Sequence, residues 1–126
     1  MPTNPVVWFE ISVSDMKRAQ HFYETVLATK LQPLPSPDPG LEMLAFPMDM
    51  NGTGASGALA RMDSGPTPGG GATVVYFRCD DCATEAARVA SAGGQVTKAK
   101  FSIGQYGHIA LGQDPDGNII GFHSMT

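Results

Sequence analysis

The chain has 126 residues, 42% of them apolar and 16% charged, with a net charge of −4. That is one ordinary domain with enough apolar material for a core and too little charge for disorder. The acidic balance excludes a basic nucleic-acid or anionic-membrane surface, and no apolar run approaches the roughly 20 residues that span a bilayer. The N-terminus MPTNPVVWFE lacks a basic segment followed by an apolar stretch, so no signal peptide is expected and the cytoplasm is the expected location.

Val6 to Ser14 mixes β-branched and aromatic residues in alternation and reads as a strand. Asp15 then stands where a helix N-cap would accept backbone N–H groups. From Met16 to Ala28 the residues Met16, Ala19, Tyr23, Val26 and Leu27 fall on one helical stripe. Ser36-Pro37-Asp38-Pro39-Gly40 breaks the chain. Strands are expected over Glu42–Met48, with Pro47 close to an edge, and over Ala55–Met62. Residues 63–71 are rich in glycine and proline and read as a linker.

The second half repeats the first. Ala72 to Asp80 is a strand, Asp81 a cap, and a helix runs to Ala92, where Gly93-Gly94 ends it. Strands follow over Gln95–Lys100, Tyr106–Gln113 and Ile119–Ser124. The last two are joined by the turn Asp114-Pro115-Asp116-Gly117-Asn118. Asp15 and Asp81 set a repeat offset of 66 residues, which pairs Trp8 with Val74, Glu10 with Tyr76 and Val13 with Cys79. Each half reads strand, helix, three strands. The expectation is one α+β domain over 1–126: module one 4–62, linker 63–71, module two 72–125. The two βαβββ modules would form a cupped mixed sheet around a groove.

The pair Cys79-Asp80-Asp81-Cys82 could hold zinc or cycle as a disulfide. Two intervening aspartates disfavour a thiolate, and no second Cys or His pair completes a zinc site. The plain alternative is one cysteine ending a strand and one starting a helix.

The opening Trp8-Phe9-Glu10-Ile11-Ser12-Val13-Ser14-Asp15 with His21-Phe22-Tyr23-Glu24, and the ending Asp114-Pro115-Asp116-Gly117-Asn118-Ile119-Ile120-Gly121, resemble the vicinal oxygen chelate superfamily. That superfamily includes glyoxalases, extradiol dioxygenases and bleomycin-resistance proteins. The likeness spans about Asn4 to Met125 and is nearest to a broad bacterial group of glyoxalase-related proteins. It implies a small-molecule groove, pairing into homodimers, and a divalent metal held by one His, Glu or Gln from each of four strands. Carried over by position, those ligands fall on Trp8, Val74, Gly121 and a residue near Gly57, none of which can donate. The resemblance therefore implies the scaffold, with no metal at its usual site.

If position 8 faces the groove, strand alternation brings Glu10 with it, and the repeat brings Tyr76 and Arg78. Gly121 predicts the same for His123, while the facing of Tyr106 and His108 is open. Glu10 and His123 are the candidate acid–base groups; Trp8, Tyr76, Arg78 and His108 are candidate substrate contacts. The plainer readings are an ion pair of Glu10 with Arg78, or a bond of Glu10 to Tyr76. For the histidines it is structural hydrogen bonding, and for Trp8 simple cavity filling.

Three functions compete. One is metal-independent binding or lyase-like chemistry on a small molecule. The second is a divalent-metal lyase or dioxygenase using Glu10, His108 or His123 at non-standard positions. The third is a non-catalytic dimeric interaction module.

Overall fold

The structure is a computed structural model and describes residues 4–36, 38–63 and 71–126. Pro37 of the expected break and residues 64–70 of the expected linker lie outside the described residues. The chain divides into two compact units. One runs from Trp8 to Thr73; the other combines the residues up to Val7 with Val74–Thr126.

The first module contains β1 (Val6–Ser12), α1 (Met16–Leu27), β2 (Gln32–Pro33), β3 (Leu41–Ala45) and β4 (Ser56–Met62). Its strands are hydrogen-bonded in the order β2-β3-β4-β1, with β1 parallel to β4 and the other pairs antiparallel. The second contains β5 (Thr73–Arg78), α2 (Cys82–Val89), β6 (Gln95–Ser102), β7 (His108–Gln113) and β8 (Ile119–Ser124). Its order is β5-β8-β7-β6, with β5 parallel to β8. Each module is strand, helix, three strands, so the α+β class of paired βαβββ units is as expected.

Both helix starts follow from the aspartates. Asp15 accepts from Arg18 N at 3.1 Å, and Asp81 accepts from Ala83 N at 3.0 Å. Each cap contributes about 1 kcal/mol by satisfying a donor that the helix leaves unpaired. The closing turn is held by Asp114, whose carboxylate accepts from Asn118 Nδ2, Asn118 N and Asp116 N, all at 2.9 Å. The Asn118 bonds, side chain first, keep its carboxyl below the ordinary aspartate range.

Three expectations need correction. α2 stops at Val89 rather than Ala92, because tight turns take over: Gly93 N bonds Ala90 O and Gly94 N bonds Val89 O. A 3-10 turn over Gly104–Tyr106 precedes β7, so Tyr106 lies outside the strand. β3 ends at Ala45, two residues short of Pro47. The two-residue β2 was not anticipated, being too short for any periodicity.

Each sheet turns one face to its helix. In the first module Met16, Leu31, Leu44 and Leu59 form the core, with Ile11, Val13, Ala19, Tyr23 and Phe46 packed against it. Phe9 joins this layer through Phe46, ring centroids 5.5 Å apart. Gly57 makes the approach possible. A Cβ there would sit 2.5 Å from both the Phe9 ring and Phe9 O. In the second module Cys82, Ala86 and Ala110 form the core with Cys79 and Phe122 against it. Cys82 starts α2 and Cys79 follows β5, as the plain reading of the pair held, and both are free thiols. Burial, then the neighbouring Glu85 carboxylate, push the Cys79 thiol up to about 12.

Three outcomes follow. Gly57→Ala should cost about 1–3 kcal/mol in urea unfolding, since a backbone carbonyl cannot step aside as a flexible side chain would; an unchanged midpoint would contradict the Phe9–Gly57 packing. At pH 8 the native protein should show almost no reaction of its two thiols with a disulfide reagent, and both should react once urea unfolds it. The raised Cys79 value also has a sign. Its stabilisation is complete below the thiol's ordinary value of 9.0 and is lost as pH climbs towards about 12, so the thermal midpoint should fall across that window.

Candidate functional site

The faces turned away from the helices carry the candidate residues other than His108. In β1 the odd positions Phe9 and Ile11 go to the helix side, so Trp8, Glu10 and Ser12 share the other. Trp8 Nε1–H donates to Glu10 Oε2 at 3.0 Å. Positions two apart on a strand lie on one face, which is why the sequence can form this bond locally. Both residues are half-buried.

The partner strand supplies the floor. Trp8 pairs with Ser56 and Glu10 with Ala58, so Ser56, Ala58 and Ala60 share the Trp8–Glu10 face. Across β3 their neighbours are Ala45 and Met43. Ala58 and Ala60 are 0% and 2% exposed. The result is an indole and a carboxylate standing beside a floor of small side chains. Gly57 belongs to the opposite face, under Phe9, so the fourth-strand position on this side is Ser56 or Ala58.

In the second module Tyr76 pairs with Gly121 and Arg78 with His123. The Tyr76 ring covers Gly121 so closely that a Cβ on the glycine would meet it at 2.3 Å. Phe122 lies on the helix side, so Tyr76, Arg78, Gly121 and His123 lie on the other, together with Val74. Tyr76 is buried at 6% exposure, while Arg78 is exposed and His123 half-buried. His123 Nε2 lies 2.6 Å from Tyr106 O. A carbonyl oxygen only accepts, so Nε2 carries the proton and Nδ1 is the acceptor of the neutral ring. Sequence reasoning missed Tyr106 as a backbone contributor; Gly104 and Gly107 around it were the available signal of a turn.

His108 does not join these residues. It alternates with Ala110 on the helix side and pairs with Ser124, whose hydroxyl accepts from Cys82 N at 2.9 Å. Its Nδ1 is buried without a hydrogen-bond partner. It shares the α2 side of β7 with Ala110 and does not share a face with Tyr76 and His123. His21 is exposed on α1 and borders a surface recess of about 400 Å³ with Glu24, Thr25, Ala28, Thr29 and Lys30. The Glu24 carboxylate there is already committed to Leu31 N and Gln20 Nε2, and the Leu31 bond foremost holds it below the usual glutamate range.

Three of the four positions at which the resemblance implies metal ligands do not fit a cation. Trp8 offers an N–H donor already used on Glu10. Val74 is aliphatic. Gly121 has no side chain, and the space where one would stand is filled by the Tyr76 ring. Among the described residues, no three His, Cys, Asp or Glu side chains converge as a metal site. Among the described residues, too, no helix is long and apolar enough to cross a membrane.

Comparison with known proteins supports the fold. A model of the Glyoxalase/Bleomycin resistance protein/Dioxygenase superfamily matches residues 6–122. No curated protein matches the sequence. Among solved structures, methylmalonyl-CoA epimerase from Mycobacterium tuberculosis is similar at TM-score 0.68 and 17% identity, covering 97% of this chain and 88% of that one. A Streptomyces coelicolor methylmalonyl-CoA epimerase in complex with 2-nitronate-propionyl-CoA gives TM-score 0.66 at 14% identity, covering 94% and 92%. An uncharacterised Methanosarcina mazei protein gives 0.62 at 14%, covering 98% and 95%. At these identities the likeness concerns the fold. With the family model spanning β1 to β8, the chain belongs to the Glyoxalase/Bleomycin resistance protein/Dioxygenase superfamily.

Proposed function

We propose that this protein binds a small planar organic molecule on the helix-free face of its first module, without a divalent metal at the family's ligand positions. Trp8 supplies a flat apolar wall and Glu10 accepts a hydrogen bond from the ligand. The observation that carries this reading is the Trp8 Nε1–Glu10 Oε2 bond at 3.0 Å. It fixes the carboxylate in orientation beside the alanine floor.

Glu10 is the one ionisable side chain on that face of β1, β3 and β4 (Ser56, Ala58, Ala60 and Met62; Leu41, Met43 and Ala45). If chemistry follows binding, Glu10 is the group able to take a proton from the ligand. The similar folds of epimerases solved in complex with 2-nitronate-propionyl-CoA or methylmalonyl-CoA support a small-molecule occupant. A lyase or dioxygenase reaction through metal would need ligands elsewhere, and the placement of His108 on the α2 side of β7 argues against its share in one.

Trp8 is the chain's single tryptophan, so its emission reports on this face alone. Benzamide, a planar molecule with an N–H donor, should change that emission saturably. Glu10→Gln should weaken the response about tenfold while moving the thermal midpoint little, because glutamine keeps the volume and an acceptor for the indole. An unaltered affinity in Glu10→Gln, or no saturable response to planar donors, would contradict the reading. A large stability loss instead would assign Glu10 to structure. Elemental analysis of protein purified without chelator or metal-affinity resin should find far less than one Ni, Zn, Fe or Mn per chain. A stoichiometric metal would favour the metal-dependent alternative.

A further inference from the structure

The helix-free face of the second module has a different charge. No aspartate or glutamate occurs in β5, β7 or β8. Arg78 stands beside His123 in the parallel pairing of β5 with β8, and strand alternation sets both on the side where Tyr76 covers Gly121. Two other cations are neutralised locally: Arg61 binds Glu42 and Asp63, and Lys100 binds Asp81. Arg78 forms no ion pair among the described residues. Its backbone is nonetheless anchored, because Arg78 N donates to Pro5 O at 2.9 Å.

His123 is held in one tautomer by the Tyr106 carbonyl. With Nε2–H committed, any added proton goes to Nδ1 and makes it a donor. An exposed guanidinium has five N–H donors in a fork that matches two oxygens of one anion. The carbonyl-anchored imidazole next to it adds a third donor only in its doubly protonated form, through Nδ1–H. No carboxylate on these strands competes for either group, and the buried Tyr76 ring gives the face an apolar part.

We propose that Arg78 and His123 form a subsite for a small oxyanion, the carboxylate or phosphate group of a small molecule. Arg78 grips two oxygens and His123 meets the third or shares one of them. The subsite goes beyond the function proposed above and needs neither Trp8 nor Glu10.

The test is a titration of isotope-labelled protein with benzoate, inorganic phosphate and neutral benzamide, following the Arg78 Nε–H and His123 ring resonances. Benzoate or phosphate should shift both saturably, and benzamide should leave them in place. Arg78→Gln should weaken that binding at least tenfold, and Arg78→Lys should recover part of it. A stronger response to benzoate would assign the group as a carboxylate, and a stronger response to phosphate as a phosphate. The proposal is overturned if neither anion shifts these resonances, if benzamide shifts them equally, or if Arg78→Gln binds as well as the parent. Failure here with an intact Trp8 fluorescence response to benzamide would remove the oxyanion subsite and leave the first-module reading standing.

Discussion

The constraint that organises this molecule is the two-residue period of its strands. Each module must bury one face of its sheet against its own helix, and that demand decides the face of every residue. In β1 it draws Phe9 and Ile11 to the helix side and turns Trp8, Glu10 and Ser12 away. The repeat offset of 66 is even, so the same parity governs β5, where Phe77 and Tyr76 part company in the same sense. A one-residue slip would exchange the two sets completely, placing a carboxylate in the apolar layer. The core therefore selects the site as strictly as it selects the fold.

Two aromatic–glycine contacts give that parity its consequences, and they do different things. Phe9 over Gly57 is packing: it lets two parallel strands share an aromatic layer with α1. Tyr76 over Gly121 lies on the other side, where the superfamily resemblance implies a metal ligand. The ring occupies the volume in which a ligand's side chain would begin. Trp8 makes a similar replacement. Its N–H organises Glu10, where a histidine or glutamate would offer a lone pair. At these two positions the chain presents an aromatic ring and an indole N–H where the resemblance implies metal ligands.

Much of this was legible in the sequence because it depends on local rules. Asp15 and Asp81 mark helix starts whatever surrounds them, and Asp114 to Asn118 closes its turn with its own side chains. The shared face of Trp8 and Glu10 follows from spacing alone. Other features depend on contacts distant in sequence. Gly57 could be assigned a face only once its pairing with Phe9 was known, and the outcome moved the relevant β4 positions to Ser56 and Ala58. The facing of His108 was settled by the packing of Ala110 against α2. Tyr106 contributes a carbonyl rather than a ring, and no side-chain pattern encodes that.

The central claim is that the Trp8 position serves recognition and not coordination. The most direct measurement is the indole Nε1–H resonance of this single tryptophan during addition of paramagnetic Mn²⁺ up to one equivalent. The account predicts that it stays sharp, because no metal is held beside the Trp8–Glu10 pair. Broadening of that resonance at stoichiometric Mn²⁺ would put a cation at Glu10 and contradict the account.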